Sequence, residues 1–387
     1  MAVFAIISGG GTAGHVVPGL AVADALVGRG HDQSSIHYVG SARGVERTMV
    51  PDAGYPLTLL PGRGIQRRLT VDNVGASIGL LRAIIRAARL VRRERPAVLL
   101  ALGGYASVPA ALGAALWRVP IVVAEQNAVP GAANRLVARF AKASAVSFPN
   151  TPLPRATLTG NPVRSEVRML ATSRDRAAAR ASVGLEGDDN RVLIVAFGGS
   201  LGARRINEAI LSLAQSWADR DDVALRHVIG DRDWTGATER VSALHRELDL
   251  RRHAGEPALR YDAVRYEHDM PTVYAAADLI VCRSGASTVA ELAVAGLPSV
   301  LVPLPHAPGD HQTANARAMV DAGGALLLRD ADATAGRVAE LLDSLVRDRD
   351  RRDQMAAGAR SLARPDAAER VADLVELHAR PPRARRQ

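Results

Sequence analysis

The chain has 387 residues, a length that suits two domains of ordinary size better than a single hydrophobic core. Apolar residues make up 48% of it, and the formal net charge of +9 favours anionic partners such as nucleic acid, acidic lipid or phosphorylated substrates. Aromatic residues make up 3%, which counts against single-stranded nucleic acid. The single cysteine, Cys282, excludes an intrachain disulfide, and its apolar surroundings predict a buried thiol rather than a nucleophile.

The first elements are a strand, a glycine-rich turn and a helix. The apolar run Val3–Ile7 predicts a buried parallel strand, the turn follows at Ser8–His15, and Pro18–Val27 predicts the helix. No basic region precedes the apolar run, so we interpret it as a strand and not as a signal peptide. His15 is the one ionisable side chain of the turn. It is a candidate general base, and the alternative is a structural histidine at a helix start.

The glycine turn resembles a dinucleotide site but lacks one of its parts. Gly9, Gly11 and Gly14 match the pattern G-x-G-x-x-G, which is a weak signal by itself. Such a site also needs an acidic residue at the end of the second strand to hold a ribose, and here small residues follow Ser35–Val39. The missing acid argues against NAD and favours a site for an anion or a sugar.

The segment Ser77–Arg93 predicts a helix with two unlike faces. One face is expected to pack inward and carries Leu80, Ile84, Ala87 and Val91. The other face, extended by a tryptophan from the following helix, forms what we call the basic stripe: Ile78, Arg82, Ile85, Arg86, Arg89, Arg93 and Trp117. Such a stripe is either a solvated charged face or a surface that binds an anionic membrane.

The uncharged span Ala97–Trp117 is about long enough to cross a bilayer. Gly103, Gly104 and Pro109 interrupt its middle, however, as expected for a buried strand, a turn and a helix start. We therefore predict a strand and a helix here rather than a transmembrane segment.

The two halves of the chain share one plan. The strand and glycine turn at Phe4–Gly14 recur at Val192–Ala203, and the order of elements at Leu99–Asn127 recurs at Ala277–Gln312. This repetition predicts an α/β protein of two Rossmann-like domains, whose parallel sheets face each other across a cleft. The Pro-, Thr- and Asn-rich stretch Phe148–Val163 is the expected linker. We predict domains at 1–163 and 164–355, a C-terminal helix at 356–378 packing back across both, and a disordered basic tail at 379–387.

The stretch Ala277–Gln312 has the features of a nucleotide site. A strand at Leu279–Cys282 leads into a turn and a helix start, where free backbone N–H groups and the helix dipole suit a phosphate. Glu291, one turn into the helix, is placed for a ribose diol, and the alternative is an ordinary βαβ unit with a solvated Glu291. The Asp-x-Asp sequences at 231–233 and 330–332 are expected to be solvated turns away from the glycine turns, and no metal site is predicted.

Several motifs occur in order between positions 9 and 317: GGGTAGHVVPGLAVA, GGYASVPA, EQNAVPG, GNPVR, FGGSLGA, CRSGASTVAELAVAGLPSVLVP and DHQTANA. Together they closely resemble the MurG family of UDP-N-acetylglucosamine–N-acetylmuramyl-(pentapeptide) pyrophosphoryl-undecaprenol N-acetylglucosamine transferases. The resemblance covers nearly the whole chain, whereas any one motif alone is weak.

The resemblance implies a GT-B fold and an inverting glycosyltransferase that needs neither a metal nor a cofactor. GlcNAc would pass from UDP-GlcNAc to the C4 hydroxyl of MurNAc in undecaprenyl-pyrophosphoryl-MurNAc-pentapeptide (lipid I), forming lipid II for peptidoglycan synthesis. It further implies a peripheral protein at the cytoplasmic face of the cell membrane, without nucleic acid as a partner. A polyprenyl acceptor favours the membrane interpretation of the basic stripe and puts it on the N-terminal, acceptor-side domain.

The resemblance also assigns roles to matching positions. His15 is the implied base, and the implied UDP-GlcNAc contacts are Thr12, Ala13, Gly14, Asn127, Arg164, Ser200, Glu267 through its backbone, Ala286, Ser287, Thr288, Val289, Ala290, Glu291 and Gln312. Tyr105 and Glu125 are implied on the acceptor side. His311 stands where many members have a glutamine, so either His311 or Gln312 would contact the sugar. Ala13 replaces a glycine of many members, which a helix start should tolerate.

Two other functions remain open from the sequence. A UDP-GlcNAc 2-epimerase shares the two-domain plan and would interconvert the sugar nucleotide without a lipid acceptor. A non-catalytic protein that binds nucleic acid or membranes would explain the net charge but not the paired glycine turns, and its binding would depend steeply on salt.

Overall fold

The computed structural model describes residues 3–61, 72–186, 190–199 and 203–381, without the side chains of residues 72–78. The chain forms two compact units, one comprising Met1–Arg164 with Arg364–Gln387 and the other Ser165–Ala363. Each unit has its own parallel β-sheet, so the predicted α/β architecture with two Rossmann-like domains is confirmed.

The first unit contains a seven-stranded parallel sheet in the order β3-β2-β1-β4-β5-β6-β7. Its strands are β1 (Ala5–Gly9), β2 (Ile36–Ser41), β3 (Leu57–Leu60), β4 (Val98–Gly103), β5 (Ile121–Glu125), β6 (Ala143–Val146) and β7 (Ala156–Leu158). Its first helices are α1 (Ala13–Gly28), α2 (Glu46–Asp52), α3 (Asp72–Glu94), α4 (Ser107–Leu116) and α5 (Ala132–Val137). Helices α3, α4 and α5 contribute to the apolar cluster on one face of the sheet, and α1 and α2 to the cluster on the other.

The second unit contains a six-stranded parallel sheet in the order β10-β9-β8-β11-β12-β13. Its strands are β8 (Val192–Phe197), β9 (Val223–Val228), β10 (Arg260–Val264), β11 (Leu279–Cys282), β12 (Ser299–Leu301) and β13 (Ala325–Leu327). Its helices are α6 (Ser165–Met169), α7 (Arg176–Ser182), α8 (Arg204–Ser216), α9 (Asp231–His253), α10 (Met270–Ala276), α11 (Ala286–Ala295), α12 (His311–Asp321), α13 (Ala335–Arg347) and α14 (Arg349–Ser361). Parallel strands bring the loops that follow them to one edge, where ligands bind in sheets of this kind.

The last helix, α15 (Ala367–His378), belongs to the first unit, although α14 before it belongs to the second. Val371, Ala372 and Val375 are fully buried in the same apolar cluster as β1 and α1. At the end of α1, Arg29 Nη1 lies 2.7 Å from a carboxylate oxygen of Glu376. The final helix is therefore an integral layer of the first unit.

Two local expectations differ from the structure. The helix α1 begins at Ala13 and not at Pro18, so Gly14 and His15 lie in its first turn. Proline is typical of a helix start, which made Pro18 a misleading boundary signal. The stretch Phe148–Val163 is not a free linker, because it contains β7, which pairs with β6 and extends the sheet.

The span Ala97–Trp117 divides into β4 and α4 around the predicted glycine turn. Across the described residues, no helix combines the length and apolar character needed to cross a membrane.

Candidate functional site

A cavity of about 790 Å³ lies in the second unit, at the edge where its strands end. Loops that follow β8, β9, β11, β12 and β13 contribute to its wall. Its lining residues are Phe197, Gly198, Gly199, Ala203, Arg204, Arg205, Glu208, Arg232, Arg283, Gly285, Thr288, Leu304, Gln312 and Asp330. This volume is large enough for a small organic ligand.

The start of α11 presents backbone N–H groups to this cavity. Gly285 caps the helix with extended backbone angles, and both Gly285 and Thr288 line the cavity. The helix ends at Gly296, whose φ of 62° is left-handed and favours glycine. The predicted helix over this stretch therefore exists, and its N-terminus has the geometry and dipole for an anionic group.

Glu291 is buried on α11, with 7% of its surface exposed, which contradicts the alternative of a solvated side chain. The hydroxyl of Tyr274 donates a hydrogen bond of 3.1 Å to Glu291 Oε2. The residue does not line the cavity itself, although it shares α11 with the predicted contacts Ala286, Ser287, Thr288, Val289 and Ala290. Its carboxylate is held in one orientation by a fixed partner.

Gln312, rather than His311, faces the cavity. The backbone N–H of Leu304 donates to Gln312 Oε1 at 2.9 Å, which fixes the side-chain amide and leaves its NH₂ group as the outward donor. His311 Nδ1 instead lies 2.9 Å from the carbonyl oxygen of Pro308, on an exposed surface. The structure therefore favours Gln312 for contact with a ligand.

The Asp-x-Asp sequences are not both solvated turns away from the site. Asp330 lines the cavity with 16% of its side chain exposed, and Arg283 Nη1 lies 2.6 Å from its Oδ1. Arg232 lines the same cavity. The prediction was wrong for these positions because parallel strands bring the loops after β9 and β13 to the same edge.

Glu267 follows β10 and does not line the cavity. Its carboxylate accepts hydrogen bonds from Arg226, with Nη2–Oε2 at 2.6 Å, and from the backbone N–H of Asp269 at 3.0 Å. These contacts occupy the side chain and fix the loop, so the backbone of Glu267 is the part left to recognise a ligand.

In the first unit, the predicted base His15 lies in the first turn of α1, half-buried. Its Nδ1 is 3.4 Å from the hydroxyl of Thr12, the N-cap residue. A Cβ atom at Gly103 would lie 3.1 Å from His15 Nε2, and the φ of +101° there is also left-handed. Glycine at 103 therefore leaves space beside the Nε2 atom.

Glu46, the first residue of α2, is a residue of this region that the sequence analysis missed. Its fully buried carboxylate accepts hydrogen bonds from the backbone N–H groups of Gly11 at 2.9 Å and Ser41 at 2.7 Å. The end of β2 itself carries no acid, as predicted, and Glu46 reaches the glycine turn from the start of α2. Because this negative charge uses the N–H group of Gly11, that group does not serve as an anion site.

Glu125 is buried at the end of β5, and both of its carboxylate oxygens are engaged. Asn127 donates to Oε1 from its backbone at 3.0 Å and from its side chain at 3.2 Å, while Gly131 N–H and Asn134 Nδ2 donate to Oε2. Glu125 therefore orients Asn127 and shapes its loop.

Tyr105, which follows β4 in the chain, donates a hydrogen bond to the carbonyl oxygen of Pro61 at 2.9 Å. Burial raises the pKa of its hydroxyl.

Two further predicted contacts, Arg164 and Ser200, complete the sequence-based list. Arg164 belongs to the first unit and is half-buried, and Ser200 lies outside the described residues. Cys282 is fully buried, and burial raises the pKa of its thiol far above the ordinary value, so the predicted inert thiol is confirmed. Among the residues described, no group of three or more His, Cys, Asp or Glu side chains is arranged for a metal ion.

The basic stripe is an exposed surface of the first unit. Arg82, Arg86, Arg89 and Arg93 are all exposed, with Ile85 at 43% and Trp117 at 41% exposure; the side chain of Ile78 lies outside the described residues. Trp117 Nε1 donates to the carbonyl of Ala88 at 2.9 Å, which holds the indole against α3. Leu81 and Leu116, at 59% and 66% exposure, are further apolar members that the sequence analysis missed.

Comparisons with known proteins agree with this architecture. The glycosyltransferase family 28 N-terminal domain matches residues 5–146, and the C-terminal domain of that family matches residues 193–371. A UDP-N-acetylglucosamine–N-acetylmuramyl-(pentapeptide) pyrophosphoryl-undecaprenol N-acetylglucosamine transferase of a Nocardioides species is 43% identical over 96% of each chain, and one of Acidothermus cellulolyticus is 41% identical over 96% of each.

Solved structures give the same result at the level of the fold. The crystal structure of Acinetobacter baumannii MurG matches with a TM-score of 0.75 and 29% identity over 97% of this chain and 99% of that one. A UDP-GlcNAc 2-epimerase from Neisseria meningitidis matches with a TM-score of 0.65 over 97% of this chain and 100% of that one, but at 14% identity it supports the fold alone.

Proposed function

The chain belongs to the UDP-N-acetylglucosamine–N-acetylmuramyl-(pentapeptide) pyrophosphoryl-undecaprenol N-acetylglucosamine transferases of glycosyltransferase family 28, and we propose that it catalyses the reaction of that name. GlcNAc would pass from UDP-GlcNAc to the C4 hydroxyl of MurNAc in lipid I, giving lipid II for peptidoglycan synthesis. The configuration at the anomeric carbon would invert in a single displacement.

The observation that carries this proposal is the cavity of the second unit, which we assign to UDP-GlcNAc. It combines a glycine turn after β8, the N-terminus of α11 and the arginines Arg204, Arg205 and Arg232. Backbone N–H groups and arginines are the groups that proteins use for diphosphates. The buried Glu291 would hold the ribose from the same helix, and the loop at Glu267 would read the uracil edge.

The main chemical requirement of the transfer is stabilisation of the leaving group, UDP. Negative charge develops on UDP as the glycosidic bond breaks, and fixed donors around the diphosphate lower the barrier because they are already oriented. We assign this role to the start of α11 and to the arginines of the cavity, with Arg164 and Ser200 as further candidates. On this basis, the reaction is proposed to proceed without a divalent cation.

We assign the acceptor hydroxyl to the first unit. His15 would remove its proton through Nε2, while Nδ1 is oriented by Thr12 at 3.4 Å. Asn127, held by Glu125, and Thr12 to Gly14 would position the sugars. A neutral sugar suits this turn better than a phosphate does, because Glu46 already places a negative charge against it.

The basic stripe would bind the anionic cytoplasmic face of the cell membrane, making this a peripheral membrane protein. Exposed Arg82, Arg86 and Arg89 alternate there with apolar side chains, the composition that interfacial surfaces share. A polyprenyl acceptor resides in the membrane, so a surface of this kind would bring the enzyme to its substrate.

One assay tests the proposed activity. The purified chain would be incubated with labelled UDP-GlcNAc and a lipid I analogue in the presence of a chelator, and label should move into the lipid product. Conversion of UDP-GlcNAc to its 2-epimer without a lipid acceptor would support the epimerase instead. Turnover that strictly required added magnesium would contradict the metal-independent mechanism, and absence of transfer under both conditions would overturn the proposed activity.

A further inference from the structure

We propose that Asp330 binds the donor sugar, its carboxylate accepting hydrogen bonds from the hydroxyl groups of the hexosamine. This inference rests on the assignment of the second-unit cavity to a sugar nucleotide, and it adds a residue that lies outside the family motifs and was expected in a solvated turn. The contacts of Asp330, the order of strands along the sheet edge and the chemistry of its neighbours carry it.

The groups that suit a diphosphate lie along one part of the sheet edge that borders the cavity, and Asp330 lies along another. Arg232 follows β9, Arg204 and Arg205 follow the adjacent β8, and the start of α11 follows β11. Asp330 follows β13, the strand at the opposite end of the sheet. A diphosphate is stabilised by N–H groups and arginines, so it belongs near β8 and β11, although Glu208 also lines the cavity there and pairs with Arg204 at 2.9 Å. The end at Asp330, whose charge Arg283 balances, is left for the uncharged sugar.

Arg283 is not a free cation for the phosphates. Its Nη1 donates to the carbonyl oxygens of Val302 and Pro303, both at 3.1 Å, and lies 2.6 Å from Asp330 Oδ1. These contacts hold the guanidinium against the end of β12, and its charge is balanced by the carboxylate. The pair therefore adds little net charge to this end of the cavity, as suits an uncharged ligand.

The same pair fixes Asp330 in an orientation that leaves an acceptor for a ligand. Within the described part of the chain, Arg283 is the one side chain that contacts this carboxylate, and it approaches Oδ1. Oδ2 remains as an acceptor, on a residue that lines the cavity. A carboxylate with one oxygen anchored and one available needs no reorganisation to receive a hydroxyl group.

Gln312 supplies the complementary group. Its Oε1 is occupied by the N–H of Leu304, so its NH₂ group can donate into the cavity. A sugar hydroxyl both donates and accepts hydrogen bonds, and Asp330 with Gln312 provides one group of each kind. This combination distinguishes a hydroxylated ligand from a phosphate, which only accepts.

The test compares binding of UDP-GlcNAc with binding of UDP by calorimetry. Asp330→Asn keeps the size of the side chain but loses the charge that strengthens hydrogen bonds to a hydroxyl. We expect the ratio of the Kd for UDP-GlcNAc to the Kd for UDP to rise roughly tenfold, and by more in Asp330→Ala. The Kd for UDP itself should not rise, because loss of the carboxylate leaves the charge of Arg283 unbalanced. UDP binding that is no weaker than in the wild type also shows that each variant is folded.

Asp332 offers a matched control two residues away. It is 43% exposed and pairs with Arg329 outside the cavity, so Asp332→Asn should bind both ligands as the wild type does. If the Asp330 variants weaken UDP and UDP-GlcNAc equally, or weaken neither, Asp330 does not bind the sugar and the inference is overturned while the proposed activity stands. A wild-type chain that bound neither ligand would overturn both.

Discussion

At the start of α1, His15 is the residue that we propose as the general base. Thr12 lies beside its Nδ1, and Gly103 leaves space beside its Nε2. If Nδ1 carries the ring proton and directs it at the Thr12 hydroxyl, Nε2 is the atom that we propose to accept the proton of the acceptor hydroxyl.

We predict that His15→Ala lowers kcat by about a hundredfold or more, because general-base catalysis typically contributes this much. Binding of UDP-GlcNAc should stay nearly unchanged, since the donor cavity is formed by the second unit. Turnover with a lipid I analogue and calorimetry with the donor would measure the two effects. His311→Ala changes a half-buried histidine at the start of α12 that does not line the cavity; it is the matched control and should retain activity. Near-normal turnover of His15→Ala would remove His15 from the role of base.

The role of a single residue could be predicted from the sequence where it depends on residues that are close by in the chain. The glycine turn and the helix start at α11 are of this kind, because cap, glycine and helix lie within a few positions. Glu46 was missed because its partner Gly11 lies 35 positions earlier in the chain. Asp330 was misassigned for the same reason, since the cavity and Arg283 become its neighbours only when β11 and β13 enter one sheet.

The helix α3 shows how much the pattern of one element can predict. Its helical spacing predicted an inward face, and Ala87 and Val91 are indeed buried, as are Ala83 and Leu90. The exposed face was predicted as well, with four arginines on it. What periodicity could not provide was the contact with Trp117, because that depends on the packing of α4 against α3. Residue spacing therefore predicts which side chains of a helix lie on one face, whereas tertiary packing determines which residues of other elements lie beside them.

We predict that Arg86→Glu combined with Arg89→Glu weakens binding to vesicles containing anionic lipid by at least about tenfold. Each basic residue near such a surface contributes about 1 kcal/mol, and reversal adds repulsion. A flotation or sedimentation assay would measure this, and affinity for UDP-GlcNAc should be unchanged. Arg246→Glu combined with Arg349→Glu changes the net charge equally at exposed positions of the second unit and should bind vesicles normally. Equal binding by both double variants would show that the stripe is a solvated face.

At the scale of the whole molecule, the first unit is built from two separate parts of the chain, and its last helix, α15, comes after the whole second unit in sequence. Residues up to Arg164 build the sheet and most of its helices, and α15 returns after the whole second unit. The sequence predicted a C-terminal helix packing back, but the apolar pattern of α15 could not identify its partner. Val371, Ala372 and Val375 are buried where α15 packs against α1, β4 and β5, because that sheet face carries a matching apolar cluster.

Because α15 is part of the first unit, substitutions in it should change the stability of that unit. Val375 is fully buried, whereas Leu377, two residues later on the same helix, is 73% exposed. Val375→Asp would bury a carboxylate without a partner, so we predict a loss of at least about 2 kcal/mol in the stability of the first unit. Leu377→Asp should change stability by less than about 0.5 kcal/mol, as surface substitutions do.

Hydrogen exchange followed by mass spectrometry would locate this loss within the chain. In Val375→Asp, the amides of β1 and β4 should exchange faster, because α15 covers the cluster to which both strands contribute. The amides of β11, in the second unit, should keep their wild-type rates and serve as the internal reference. If β1 exchanged as slowly as in the Leu377→Asp control, α15 would be a dispensable appendage. The expected faster exchange of β1 and β4 would mean that α15 stabilises the region around His15, because β1 leads toward Gly11 and β4 ends at Gly103.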